Sequence, residues 1–202
     1  MAETEIPTEM SAPDTPALRL ARHLGYHGLL ALGALALFAA ADSWFVLTGL
    51  GMAQALCVVT GILAGATVPT LVHEWFHYLG ARVSGADYTI PRKLGLFVYD
   101  WNFQTNTLKQ FFVMSIGGTV GSLLAIGLLL LNLPADSAGR AVLLATAIAS
   151  MGFAGTIEWP VLLRTRQSGE PLTELAKTDL SVIHRAFVIA GVVGLVSYSL
   201  IY

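Results

Sequence analysis

Residues 53–79, "AQALCVVTGILAGATVPTLVHEWFHYL", form an apolar run that ends in three titratable side chains. A membrane-spanning helix needs about 20 predominantly apolar residues to cross roughly 30 Å of hydrocarbon. The run is therefore long enough to span a bilayer, with His73, Glu74 and His77 near one of its ends. Titratable groups at membrane depth are costly without a partner. This stretch therefore predicts a membrane fold and, within it, a functional site.

The rest of the chain repeats this apolar pattern. Of its 202 residues 55% are hydrophobic and 12% are charged, about half of the roughly 25% charged residues usual in soluble domains. We predict an all-α polytopic membrane protein whose single transmembrane domain, residues 27–202, lies in the lipid bilayer. Beside 53–79, the other four of about five transmembrane helices are predicted at 28–48, 109–131, 140–163 and 183–202.

The segments outside these spans are short. Residues 1–16 are polar, acidic and rich in proline, which is typical of a disordered tail. Residues 17–26 are basic and partly apolar, so we expect residues 1–26 to be disordered or to lie at the membrane surface. The connection at about 80–108 is rich in β-forming residues and bounded by Gly and Pro. It predicts short strands or a re-entrant hairpin at the interface.

The charged residues exclude one class of partner and predict an orientation. A net charge of -2 is too small to suggest binding to nucleic acid. Ten of the eleven Lys and Arg residues lie before the first span, in the second loop or in the fourth loop, and only Arg140 lies on the opposite side. Because cytoplasmic loops are enriched in Lys and Arg, we expect a cytoplasmic N-terminus and an extracytoplasmic C-terminus.

The spacing of the three titratable residues is that of a zinc motif. Residues four apart share a face of a helix, so His73 and His77 can present two imidazole nitrogens to one ion. Glu74 can reach a water bound to that ion. This H-E-x-x-H pattern supplies two zinc ligands and a general base. The alternative interpretation is an interfacial polar cluster without metal. For the similarly spaced His23 and His27 we expect such an interfacial role.

Depth in the membrane selects a third ligand. A catalytic zinc ion takes three protein ligands and keeps one position open for water. Glu158 precedes Arg164 by six residues, about 9 Å along a helix, and His77 precedes Arg82 by five, about 7.5 Å. Glu158 is therefore at the level of the motif, and we predict that it is the third metal ligand. Its alternative role is a structural hydrogen bond. The other candidates lie at the far end or in loops: Asp42, Asp100, Asp179 and His184.

From His73 onward the chain resembles the site-2 protease family of intramembrane zinc metalloproteases. In that family H-E-x-x-H is followed by Ala-Arg, by Gly, by strand-forming residues, by a glycine-bearing span and by a later span with an acidic residue. The resemblance covers about residues 52–165. The matching motif positions are His73, Glu74, His77, Ala81, Arg82 and Gly85.

The resemblance implies an endopeptidase that binds Zn²⁺ and cleaves a single-span membrane protein near the cytoplasmic face, with Glu74 as catalytic base. The family's third span usually carries Gly-Pro and an asparagine, and its third ligand is usually an aspartate, whereas this chain offers Glu158. A second type of membrane metalloprotease, with a glutamate as third ligand, matches Glu158 better. An alternative function is a catalytically silent scaffold subunit of a larger membrane complex.

Overall fold

The computed structural model describes residues 14–202, in which long helices dominate. The predicted disordered tail lies mainly at residues 1–13, outside this part of the chain. The predicted interfacial residues 17–26 form the first turns of the first helix. The helices are α1 Pro16–Thr48, α2 Gly51–Val83, α3 Leu108–Asn132, α4 Ala138–Ser168, α5 Pro171–Leu175 and α6 Leu180–Ile201.

All of these helices except α5 are long and apolar enough to cross a membrane. They contain 22 to 33 residues, which corresponds to about 33–50 Å at a rise of 1.5 Å per residue. The hydrocarbon core of a bilayer is about 30 Å thick. The chain is therefore an all-α, multi-pass integral membrane protein, and this prediction is confirmed.

The helices run alternately up and down between two ends of a bundle. We call one the hairpin end, because it contains the short turn between α1 and α2 and the connection 133–137 between α3 and α4. The other, the loop end, contains residues 84–107 and α5. Helix α2 packs against α1, α3 and α4, while α6 packs mainly against α4.

Local sequence signals set the ends of several helices. Thr15 caps α1 by accepting a hydrogen bond from the backbone N–H of Leu18, and Pro16 occupies the first turn, where its missing N–H costs nothing. Thr107 and Gln110 form a capping box at the start of α3. Helix α4 ends at Gly169, whose φ of 74° lies in the left-handed region, which glycine adopts without strain.

Glycines bring α2 and α4 into close contact. A Cβ atom at Gly65 would overlap the carbonyl oxygen of Leu143, and one at Gly139 would overlap the sulfur of Cys57. Small residues let the backbones of membrane helices approach and gain van der Waals contacts. This packing sets the position of α4 along α2.

The connection between α2 and α3 contains the short strands that the sequence predicts. Strand β1, Tyr88–Thr89, pairs antiparallel with β2, Asp100–Trp101. Between the strands, residues 90–95 fold back onto the first turns of α1. The expected interfacial role of His23 and His27 stays a prediction, but neither residue is exposed to solvent. Both are buried, because this segment covers them and its carbonyl oxygens accept their hydrogen bonds.

Candidate metal centre

Helix α2 brings the two motif histidines onto one face. Their Nε2 atoms are 2.9 Å apart, and their side chains are only 6% and 12% exposed. Pro69 lies one turn earlier, inside the helix. His73 and His77 thus share a face and a depth, as the four-residue spacing predicts.

Helix α4 brings Glu158 to the same point. Its Oε1 atom lies 2.7 Å from Nε2 of His73 and 3.3 Å from Nε2 of His77. Among the described residues, His73, His77 and Glu158 form the one group whose ligand atoms could surround a metal ion. The depth argument therefore identified the acidic residue that meets the motif. Its role as a metal ligand remains a prediction.

Helix α3 orients both imidazole rings through their Nδ1 atoms. Nδ1 of His77 donates to the carbonyl oxygen of Met114 at 2.9 Å. A carbonyl only accepts, so the neutral ring keeps a lone pair on Nε2. Nδ1 of His73 lies 2.9 Å from the buried hydroxyl of Ser122. Partners of this kind orient metal-binding histidines in other proteins.

Sequence analysis missed these two partners. The one available signal was Ser122 itself, a polar residue inside an apolar span, since hydroxyl groups in membrane helices commonly bond to other helices. The carbonyl of Met114 carries no sequence signal at all, because every residue has one.

Glycines on α3 make room for the site. A Cβ atom at Gly118 would overlap the ring of His77 and would lie 2.7 Å from Cε1 of His73. At Gly121 it would lie 2.6 Å from Cβ of Phe76. Because no side chain larger than hydrogen fits, the backbone of α3 forms one wall of the site.

Glu74 lies beside the three converging groups without joining them. It is partly exposed, and its side chain forms no hydrogen bond with another residue in the described range 14–202. In the connection after β1, burial, together with the negative charges of Glu74 and Glu158, raises the pKa of Tyr99. Sequence analysis did not select this residue.

Three potential ligand atoms meet at the site. Nε2 of His73, Nε2 of His77 and Oε1 of Glu158 lie within 3.3 Å of one another, a spacing that is favourable only with a cation or shared protons between them. Oε2 of Glu158 is buried and has no hydrogen-bond partner among residues 14–202. The ligand atoms of a tetrahedral zinc ion with bonds of about 2.0–2.1 Å lie about 3.3 Å apart. Small movements of these three side chains would therefore make room for such an ion.

The other sequence candidates lie elsewhere. Asp42 is at the hairpin end, where it pairs with Arg140. Asp100 belongs to β2, Asp179 caps α6, and His184 is exposed on α6. None of them joins the group formed by His73, His77 and Glu158. Comparison with models of protein families, with curated proteins and with solved structures found no match for this chain.

Proposed function

We propose that this chain is a zinc-dependent intramembrane endopeptidase that cleaves a membrane-spanning protein near the loop end of the bundle. The positive-inside rule assigns that end to the cytoplasm. The observation that carries the proposal is that His73, His77 and Glu158 converge on one point. Glu74 is adjacent in sequence, and its side chain has no hydrogen-bond partner among residues 14–202. Two imidazoles and one carboxylate are a usual ligand set of catalytic zinc.

Each residue has a role in this proposal. The two histidines and Glu158 would hold the ion, which would supply a water of lowered pKa and a Lewis acid for the peptide carbonyl. Glu74 accepts a proton from the attacking water as its oxygen bonds to the carbonyl carbon. Glu74 then returns the proton to the amide nitrogen as the C–N bond breaks. Ser122 and the carbonyl of Met114 keep the imidazole rings in place.

A scaffold function is the second candidate, favoured by a groove between α2, α4 and α6. The groove has a volume of about 840 Å³ and is lined largely by apolar and small residues, among them Ala66, Ala149 and Gly191. Small residues are typical of interfaces between membrane helices. A groove of this kind suits a helix of a partner subunit.

The exchange Glu74→Gln tests the enzyme proposal. General base catalysis contributes typically 10²–10⁴-fold, so cleavage of a co-reconstituted single-span test protein should fall by about that factor. Zinc content, measured by elemental analysis of the purified protein, should stay at about one per chain. Glu170→Gln, on the exposed connection after α4, is the matched control and should change neither quantity.

The two candidates predict different outcomes. Wild-type protein that purifies without zinc contradicts the metal site. The scaffold proposal predicts three results: about one zinc per chain, a Glu74→Gln variant with unchanged properties, and a complex that dissociates when zinc is removed. These results together would contradict the enzyme proposal.

A further inference from the structure

We infer that residues 90–99, which we call the strap, form a lid over the loop end of the site, and that α1 holds this lid shut. The inference rests on the proposed function, because it concerns access to the proposed active site. It also gives a role to His23 and His27, a pair that the proposed mechanism does not use.

Three side chains of α1 hold the strap through its backbone carbonyls. Arg19 donates to the carbonyl oxygen of Ile90 at 3.2 Å, His23 to that of Pro91 at 3.3 Å, and His27 to that of Gly95 at 2.8 Å. The donors are four residues apart, so they lie along one face of the helix.

His27 also connects the strap to the helix of the site. Its Nδ1 atom accepts a hydrogen bond of 3.0 Å from the indole N–H of Trp75, the residue that follows Glu74. Both ring nitrogens are therefore engaged, one as donor and one as acceptor, and the residue is only 2% exposed. One side chain thus joins α1, the strap and the H-E-x-x-H helix.

The strap reaches the site at its other end. Val98 is fully buried and packs with Tyr78, the residue after His77. Next to it, the ring of Tyr99 lies 6.2 Å from the ring of Tyr78, measured between ring centroids. Displacement of the strap would uncover the loop end of the site.

The strap is also held by an ion pair of 2.8 Å between Arg92 and Asp14 and by the burial of Ile90 and Val98, but not by regular backbone pairing. Within residues 91–98 of the described chain no backbone–backbone hydrogen bond forms, since the strand pairing stops at Thr89 and Asp100. Segments with few backbone hydrogen bonds open at low cost in free energy, and lids of active sites are commonly drawn from them. We therefore assign to the hydrogen bonds from Arg19, His23 and His27 the role of holding this lid shut.

The test measures opening of the strap by thiol labelling of the full-length protein in detergent. Val98→Cys places a thiol at a position with no exposure, and its rate of reaction with a water-soluble maleimide reports opening. The native Cys57, equally buried at the hairpin end, is an internal control for general unfolding. Trp75→Phe removes the hydrogen bond from Trp75 to His27, and His27→Leu removes that bond and the bond to the carbonyl of Gly95. In each variant the rate of labelling at residue 98 should rise about three- to tenfold, with the rate at Cys57 unchanged.

Release of zinc to excess EDTA provides the second measurement. If the strap covers the site, the same two variants should release zinc faster by a similar factor. His184→Leu, which alters an exposed histidine on α6, should leave both rates unchanged.

Each outcome decides one part of the inference. An unchanged labelling rate at residue 98 would contradict the claim that α1 holds the strap shut. Faster labelling with an unchanged rate of zinc release would contradict the claim that the strap covers the site, because the strap would then open without uncovering it. A wild-type protein that holds no zinc contradicts the proposed function alone, and the labelling rates still decide whether α1 holds the strap.

Discussion

The polar cluster at the hairpin end and the polar cluster at the loop end differ in the balance of their charges. At the hairpin end, Arg140 donates from Nε and Nη2 to Oδ2 of Asp42, at 2.9 and 2.7 Å, and from Nη1 to Asp136. At the loop end, His73, His77 and Glu158 present three ligand atoms to one point, and no Lys or Arg side chain of the described residues bonds to them.

Under the proposed function, the difference separates a structural role at the hairpin end from a functional role at the loop end. The pair at the hairpin end supplies its own counter-charge and joins α1 to α4, so it is complete without any other molecule. The cluster at the loop end is complete only with a cation or with protons. The following predictions test this contrast, from the largest expected effect to the smallest.

Loss of a ligand at the loop end should have the largest effect. We expect His77→Ala to reduce bound zinc from about one per chain to nearly none, because two remaining ligands bind the ion weakly. Elemental analysis of the purified protein measures this. Full zinc content in the variant would show that the metal is bound elsewhere.

The corresponding change at the hairpin end should affect stability and leave zinc binding intact. Arg140→Met strands the charge of Asp42, which should cost up to about 3 kcal/mol of unfolding free energy, the lower part of the usual range because Arg140 is 21% exposed. Zinc content should not change, since residue 140 is about 27 Å along α4 from Glu158.

The double variant Asp42→Asn/Arg140→Met provides the control for this prediction. It removes both charges, so it should regain much of the lost stability, as measured by denaturant unfolding in mixed micelles. A loss of zinc in the single variant would mean that the two clusters are coupled, and it would break the contrast between them.

Gly118→Ala tests the wall that α3 forms at the site. The new methyl group would overlap the ring of His77, so we expect weaker zinc binding and a loss of about 1–3 kcal/mol in stability from overpacking. Gly127 lies on the same helix, where an added Cβ atom would have no atom of the described residues within 4 Å. Gly127→Ala should be neutral or stabilising by up to about 1 kcal/mol. Equal effects of the two changes would contradict close packing of α3 on the site.

Ser122→Ala should have the smallest effect. It removes the partner of Nδ1 of His73 and leaves all three ligands in place, and loss of such a partner typically weakens metal binding 10–100-fold. Competition with a zinc indicator measures this. Ser199→Ala is the control, because Ser199 is exposed on α6 and bonds within its own helix. An unchanged affinity in Ser122→Ala would show that the hydroxyl does not orient the ring.

Much of the site could be predicted from the sequence, although its partners could not. His73 and His77 meet because helix geometry alone brings residues four apart onto one face. Glu158 could be selected by depth, since the basic residues mark where each span ends. The contacts of His23 and His27 could not, because their partners are carbonyl oxygens about 68 residues away, and the strap that carries them has no regular structure.

The sequence by itself determined the five membrane helices and the relative position of the two motif histidines. Both are local properties, because the length of an apolar run and the pitch of a helix need no knowledge of distant residues. Only the tertiary structure decided that Glu158 meets those histidines, that Asp42 finds Arg140 and that the strap lies on α1. These contacts depend on how far each helix is shifted along its neighbour. That shift is set by close packing at Gly65, Gly118 and Gly139, which is a property of two surfaces fitting together and of neither segment alone.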